Sequence, residues 1–468
     1  MLVTTAYPTP VGGSALDRRD LTLDLARVFC VLMVVAIHLM FVGVGPDASG
    51  GISVSRPLEQ QPWFWAATWA GQIMPLFFVV GGFATATSLR STRRRIPDAG
   101  LAARSFVHGR MQRLARPALP ALLFLAIALT GATLLGVDPA LVDSVATGVG
   151  SPLWFLGAYL ICQLAAPALH GWHERAPRAT LGVLFACVVT VDVLQFSLPW
   201  VPQDDSGMSF LGYLNLLFVW PLVQQLGFWY ADGWFARRAW WQLLGIAALC
   251  WASLVPMTVW GPYSDNMLTN LNPPTLPLVA LGLGQAALLQ LLKAPLTALM
   301  RTRAARGVVY VVGTRLMTIY LWHLPLIVAL AGLGLLVPAL GPVPGSAAWW
   351  WSRLLVYLVV LGLLVLLSFA VGRFEHPLPV DRPASTGVLA VAGALTIVPT
   401  VAITMLGLDA VLAVVAALGY AVAVLLLRSG QNPKSPKSAE PKSAEPKSAS
   451  ADASAPASEA PVSEAAGS

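Results

Sequence analysis

The chain has 468 residues, of which 57% are hydrophobic and only 11% charged, with a formal net charge of +7 and a mean hydropathy of +0.71. A water-soluble domain needs about a quarter of its residues charged to cover its surface, so this composition excludes a soluble globular protein and makes lipid the outer solvent. The net positive charge is then a matter of membrane orientation, and no nucleic-acid partner is expected.

Residues 1–21 form a polar N-terminal segment without the features of a cleavable leader, because the first apolar run is full-length and lacks a small-residue exit. Crossing a bilayer takes about 20 apolar residues per helix. Runs of that kind lie at 22–44, 63–88, 117–136, 151–169, 180–198, 208–231, 240–260, 275–294, 315–336, 350–372, 387–406 and 408–427. Most are apolar around their whole circumference, as helices set among other helices and lipid should be. The sequence therefore predicts an all-α, polytopic transmembrane bundle.

The charges alternate with the spans. Arg18 and Arg19, the run from Arg90 to Arg116, Arg175 and Arg178, Arg237 and Arg238, Lys293 to Arg306, Arg373 and Arg382, and Arg428 all fall on one side. Asp47, Glu59, Asp138, Asp143, Asp204, Asp205 and Asp265 fall on the other, where Arg56 and Arg353 are the basic exceptions. Basic residues concentrate in cytoplasmic loops, which predicts that both termini are cytoplasmic and that the protein is a multi-pass plasma-membrane protein. The four cysteines (Cys30, Cys162, Cys187 and Cys250) sit in apolar runs with no paired spacing, so they read as small hydrophobes and no metal site is expected. From 429 to 468 the chain turns to Pro, Lys, Ser, Ala and Glu, with Pro-Lys-Ser-Ala-Glu repeated at 436–440 and 441–445. That composition cannot bury enough apolar surface to offset ordering entropy, so it predicts a disordered cytoplasmic tail grazing membrane lipid at most.

Ionisable groups within spans cost about 2.5–3.5 kcal/mol each at a helix centre, so each needs a reason. The first span holds Asp24, Arg27 and His38. Eleven helical residues bring Arg27 and His38 within about 20° of each other around the axis, and Asp24 lies within about 60° of Arg27. One helix face thus carries an acid, a base and an imidazole over about 20 Å of depth. An interfacial Asp24–Arg27 ion pair and a hydrogen-bonded structural histidine are the bland readings of these groups. Further on, Pro75 and the Gly81–Gly82 pair interrupt the second span, which fits a kink or a close helix crossing. Arg110, Arg113 and Arg116 form a basic turn entering the third span, as either an anchor or a phosphate site. Ser151-Pro-Leu-Trp154-Phe-Leu156 opens the fourth, Asn272-Pro-Pro-Thr275 the eighth, and Tyr320-Leu-Trp-His323-Leu-Pro325 places a second histidine inside the ninth. Phe374-Glu375-His376-Pro377 closes the tenth.

In this order and spacing, the Arg27…His38 pair, the Pro-Leu-Phe-Phe…Gly-Phe run at 75–83, the Arg-x-x-Arg-Leu…Pro turn at 110–117, Trp-Phe-Leu at 154–156, Tyr-Leu-x-His-x-Pro at 320–325 and Glu-x-Pro at 375–377 resemble the membrane acyltransferase-3 superfamily. Its members O-acylate carbohydrates of envelopes, antibiotics and signalling molecules. The resemblance covers residues 18–380 and departs from the pattern at Gly81, where a serine would be expected. It implies a ten-helix core over 22–380, beyond which 387–427 is an additional hairpin. It implies acyl-CoA, such as acetyl-CoA, as donor and a sugar or other hydroxylated compound as acceptor. On that reading Arg27, oriented by Asp24, joins Arg110, Arg113 and Arg116 in attracting the CoA phosphates, and His38 acts as base or acyl carrier. His323 and Glu375 complete the catalytic set, and the acceptor arrives near Trp154 and Asn272. The alternatives are a twelve-span secondary transporter, although no internal duplication is visible, and a lipid or polysaccharide flippase.

Overall fold

The computed structural model describes residues 20–46, 51–198, 209–337, 341–376, 378 and 382–429. The chain divides into Met1–Gln431 and Asn432–Ser468. The predicted tail, apart from Ser429, lies outside the described residues.

The described residues of the first unit are mostly helical. Helix α1 (Leu21–Phe41) starts at Asp20, whose carboxylate accepts the Thr22 N–H and meets Lys293 at 3.0 Å. A short antiparallel hairpin follows, β1 (Gly43–Pro46) against β2 (Ile52–Ser55), with Val44 opposite Val54. Then come α2 (Phe64–Gly71), α3 (Met74–Arg95), α4 (Ala99–Leu134), α5 (Pro139–Gly150), α6 (Leu153–Arg175) and α7 (Pro177–Ser197). A 3-10 helix at Phe210–Leu217 leads into α8 (Val219–Ala231), followed by α9 (Trp240–Val259), α10 (Leu276–Leu291), α11 (Lys293–Leu299) and α12 (Arg303–Gly313). Helices α13 (Leu316–Leu336), α14 (Ala347–Val371), α15 (Thr386–Leu406) and α16 (Ala410–Ser429) follow.

Among the described residues, eleven segments are long and apolar enough to cross a membrane. These match eleven of the twelve runs of the sequence; the twelfth, 275–294, falls on α10 and α11, which are bent by 59° and form either a broken span or a re-entrant loop. The third span differs in extent. Helix α4 starts at Ala99, under an Asp98 cap, and runs unbroken through Pro117 and Pro120. Its basic turn is therefore helical and belongs to the same rod as the membrane segment.

The second span breaks earlier than its proline suggests. The interruption is at Gln72 and Ile73, and Pro75 sits in the first turn of α3, where its missing N–H costs nothing. The glycine pair has a different use. A Cβ on Gly82 would lie 2.2 Å from the Gln224 carbonyl oxygen, and one on Gly227 would lie 2.1 Å from that of Val79. The α3–α8 crossing is thus closed glycine to glycine, the small-residue packing that apolar helices need in lipid. Above it Phe78 stacks on Trp220 at 4.3 Å, and Trp220 stacks on Trp154 at 5.3 Å. At the opposite end of these helices Asp232 binds Arg90 and His173, while Arg93 binds Glu174, tying α3, α6 and the end of α8 together. Burial raises the Asp232 carboxyl, but its hydrogen bonds to His173 and Arg90 outweigh that and hold it below its ordinary value.

The last hairpin is integral to the bundle. Helix α16 packs along α4 and α15 along α6. Gly157 faces Thr400, Gly393 faces Leu164, and the Ala384 N–H donates to His108 Nδ1 at 3.0 Å.

Candidate active site

Helix α1 carries Arg27 near its start and His38 near its end, and α13 packs directly against it. His323 is fully buried on α13, two residues before Pro325. Its Nδ1 lies 2.7 Å from the Tyr320 carbonyl oxygen. A carbonyl can only accept, so Nδ1 carries the proton and Nε2 keeps its lone pair. That Nε2 lies 3.3 Å from Nδ1 of His38, which is also 2.9 Å from the Val34 carbonyl oxygen. With two acceptors facing it, His38 Nδ1 must be the protonated nitrogen. The lone pair of His38 is then on Nε2. The two rings sit 5.0 Å apart at 59°. The Val34 carbonyl and the His323 imidazole thus fix one tautomer of His38, with the lone pair on Nε2.

His38 lines a cavity of about 370 Å3, within the range of small-molecule sites. On α1 its wall runs from Cys30 through Val34 to Phe41, so it descends to one turn above Arg27. The opposite wall is the break between α2 and α3, from Gly71 to Met74, and the aromatic pair Trp154 and Phe155. Asn266, Asn272, Arg56 and Glu59 add polar groups, with Arg56 gripping Glu59 through two bonds of 2.9 and 2.8 Å. The loop bearing the asparagines is laced to α2: Met267 N–H donates to Thr68, Trp69 donates to the Asp265 carbonyl, and Gln72 donates to that of Met267. Oδ1 of Asn272 is buried with no hydrogen-bond partner.

Of the ten residues singled out in the sequence, His38, Trp154 and Asn272 line this one cavity, and His323 backs His38 from behind. Arg27 lies below the floor, close enough to Arg110 for like-charge repulsion to be felt. Arg110 reaches towards the Ala84 carbonyl and lies over the Phe106 ring at 5.0 Å. Asp24 is one turn from Arg27 on the same face. Arg113 is exposed. Arg116 is buried and donates through Nη1 to the His376 carbonyl, so its side chain secures the turn after α14. Glu375 stands apart from the cavity: Oε1 accepts the Thr318 N–H at 2.5 Å and caps the first turn of α13. Burial pushes its carboxyl up, against the opposing Thr318 hydrogen bonds and Arg315 charge. Glu375 is a positioning residue for the helix that holds His323.

Tyr320, Gln72 and the Arg56–Glu59 pair line the cavity and were not singled out for it. Tyr320 alone had a local signal, three residues before His323, and its hydroxyl donates to the Pro152 carbonyl. Among the described residues no group of three or more His, Cys, Asp or Glu side chains is arranged to hold a metal ion.

Fold and site together define an integral membrane protein in which a histidine, its tautomer set by its neighbours, lines a ligand-sized cavity. The profile of the Acyltransferase domain family, the acyltransferase-3 superfamily, matches residues 20–373. The chain belongs to that family, and it is a multi-pass membrane acyltransferase. No curated protein and no solved structure matches it.

Proposed function

We propose that the protein transfers an acyl group, such as acetyl, from cytoplasmic acyl-CoA to a hydroxyl of a sugar or another exported or envelope acceptor. On this reading both termini are cytoplasmic and the protein resides in the plasma membrane. The observation that carries the proposal is the His38–His323 pair at the head of a cavity that reaches down α1 towards Arg27.

The donor is polyanionic, and Arg27, Arg110 and Arg113 supply positive charge on the side that the positive-inside pattern makes cytoplasmic. The thioester would lie along α1 between Cys30 and His38, with the acceptor entering past Arg56 and Glu59 onto Trp154 and Asn272. Nε2 of His38 then takes the proton of the acceptor hydroxyl as its oxygen bonds to the thioester carbonyl carbon. The tetrahedral intermediate collapses by breaking the C–S bond, and the CoA thiolate recovers the proton from His38. His323 accepts from Nδ1 of the transient His38 imidazolium and so stabilises it.

The test is release of free CoA thiol from acetyl-CoA by the purified protein, together with mass spectrometry of envelope glycans and exported metabolites for a lost acyl mass. His38→Ala should lower turnover by about 100- to 10,000-fold, the span of general-base catalysis, with expression and melting temperature retained. Undiminished turnover in a folded His38→Ala protein would refute the assignment.

A further inference from the structure

A second cavity lies on the flank of the bundle, between the end of α1, β1, α13 and α14. It encloses about 690 Å3. Its walls are aliphatic, chiefly Leu39, Ile327, Leu330, Val356 and Val359, and its polar lining is Arg353 with Ser352. Arg353 lies in the apolar segment of α14, long enough to cross a membrane, so this guanidinium sits among aliphatic walls. It lies 4.2 Å over the Trp349 ring, donates from Nε to the Trp349 carbonyl at 3.0 Å and from Nη2 to Ser352 Oγ at 3.0 Å. All three contacts are with its own helix turn, which holds the head group in place without offsetting its charge. Among the described residues Arg353 has no carboxylate within ion-pair distance, and Nη1 has no hydrogen-bond partner.

A cation held in apolar surroundings without a counter-charge is costly, and in a membrane its counter-charge comes from a protein acid or from a lipid. Among the described residues no acid is placed to supply it. A phosphate diester matches the planar fork of a guanidinium, and acyl chains match walls of Leu, Ile and Val. The groove lies at the β1 end of α1, where Leu39 follows His38, and Ile327 is one turn beyond His323 on α13. A seated molecule would therefore brace the two helices that hold the histidine pair, from the side away from the substrate cavity.

We infer that this groove is a binding site for one anionic phospholipid, with its phosphate on Arg353 and an acyl chain along Ile327, Leu330 and Val356. The inference does not depend on the acyl donor or acceptor, because its readout is the bound lipid.

The experiment uses the full-length protein, delipidated in detergent and titrated with phosphatidylglycerol, with bound lipid counted by native mass spectrometry. Diacylglycerol with the same chains serves as the phosphate-free control. One phosphatidylglycerol per protein should be retained over a detergent wash, and diacylglycerol should be lost. Arg353→Ala should weaken retention at least tenfold, and Val356→Trp, which fills the groove and keeps the charge, should abolish it. Equal retention by Arg353→Ala, equal retention of diacylglycerol, or undisturbed binding in Val356→Trp would each overturn the site. If Arg353→Ala does not fold, Val356→Trp and the diacylglycerol control decide the question alone.

Discussion

The histidine pair makes a quantitative prediction about coupling. In the resting protein the His38 Nδ1–H is shared between Val34 at 2.9 Å and His323 at 3.3 Å, so His323 contributes only a long neutral hydrogen bond. When Nε2 of His38 takes a proton, the ring becomes cationic and the same contact becomes charge-assisted, worth about 1.5–3 kcal/mol. Set against about 0.5–1.5 kcal/mol for the resting neutral bond, the gain that appears only as charge develops is about 1–1.5 kcal/mol, so His323→Ala should slow turnover by about 5- to 13-fold. Val34 still fixes the tautomer in that variant, which is why its loss should fall short of that of His38→Ala. The double variant should be no slower than His38→Ala alone, because His323 acts through His38 and groups that act as a unit are not additive. The assay is thiol release from acetyl-CoA by the four purified proteins, each first checked for an unchanged melting temperature. Losses that multiply in the double variant would show that the two imidazoles act independently and would refute the tautomer argument.

Two further predictions concern positioning. Glu375→Ala removes the acceptor that caps α13 and should lower stability by about 0.5–2 kcal/mol, the ordinary cost of a lost helix cap. Glu375→Gln keeps an oxygen for Thr318 and should lose less, read as melting temperature; equal losses would remove Glu375 from the capping role. Asp232 is held below its ordinary carboxyl value in the folded protein, so its stabilisation is fully present above that value and fades as pH falls through the lowered one. Asp232→Asn should therefore melt lower than the parent at pH 7, with the gap closing below about pH 4. A gap that stays constant from pH 7 to pH 3 would contradict the linkage.

The helices were legible because their signal is compositional. Each span needs its own run of apolar residues, and nothing in the tertiary structure can supply it. Arg27 and His38 were legible for a related reason: both lie on one helix, so their separation and angle follow from helical geometry alone. The His38–His323 contact joins residues 285 positions apart and depends on how α1 meets α13, which no local pattern encodes. The same holds for Arg116 and Glu375. Each carries a charge at a membrane-facing turn, which reads equally well as anion binding or catalysis, and only packing reveals that one meets the His376 carbonyl and the other the α13 cap. The break at Gln72 and Ile73 was misplaced to Pro75 because a proline in the first helical turn resembles a proline in a kink. Gly82 shows the reverse: a glycine pair reads correctly as close packing, while its partner, Gly227, is unmarked in the sequence.

The hairpin of α15 and α16 lies beyond the family-matched residues 20–373, yet it covers faces that belong to them. His108 Nδ1 accepts from the Ala384 N–H just before α15, and Gly157 meets Thr400. During synthesis α4 and α6 are made before these partners exist. The packing of α4 and α6 is thus complete only once α15 and α16 are in place.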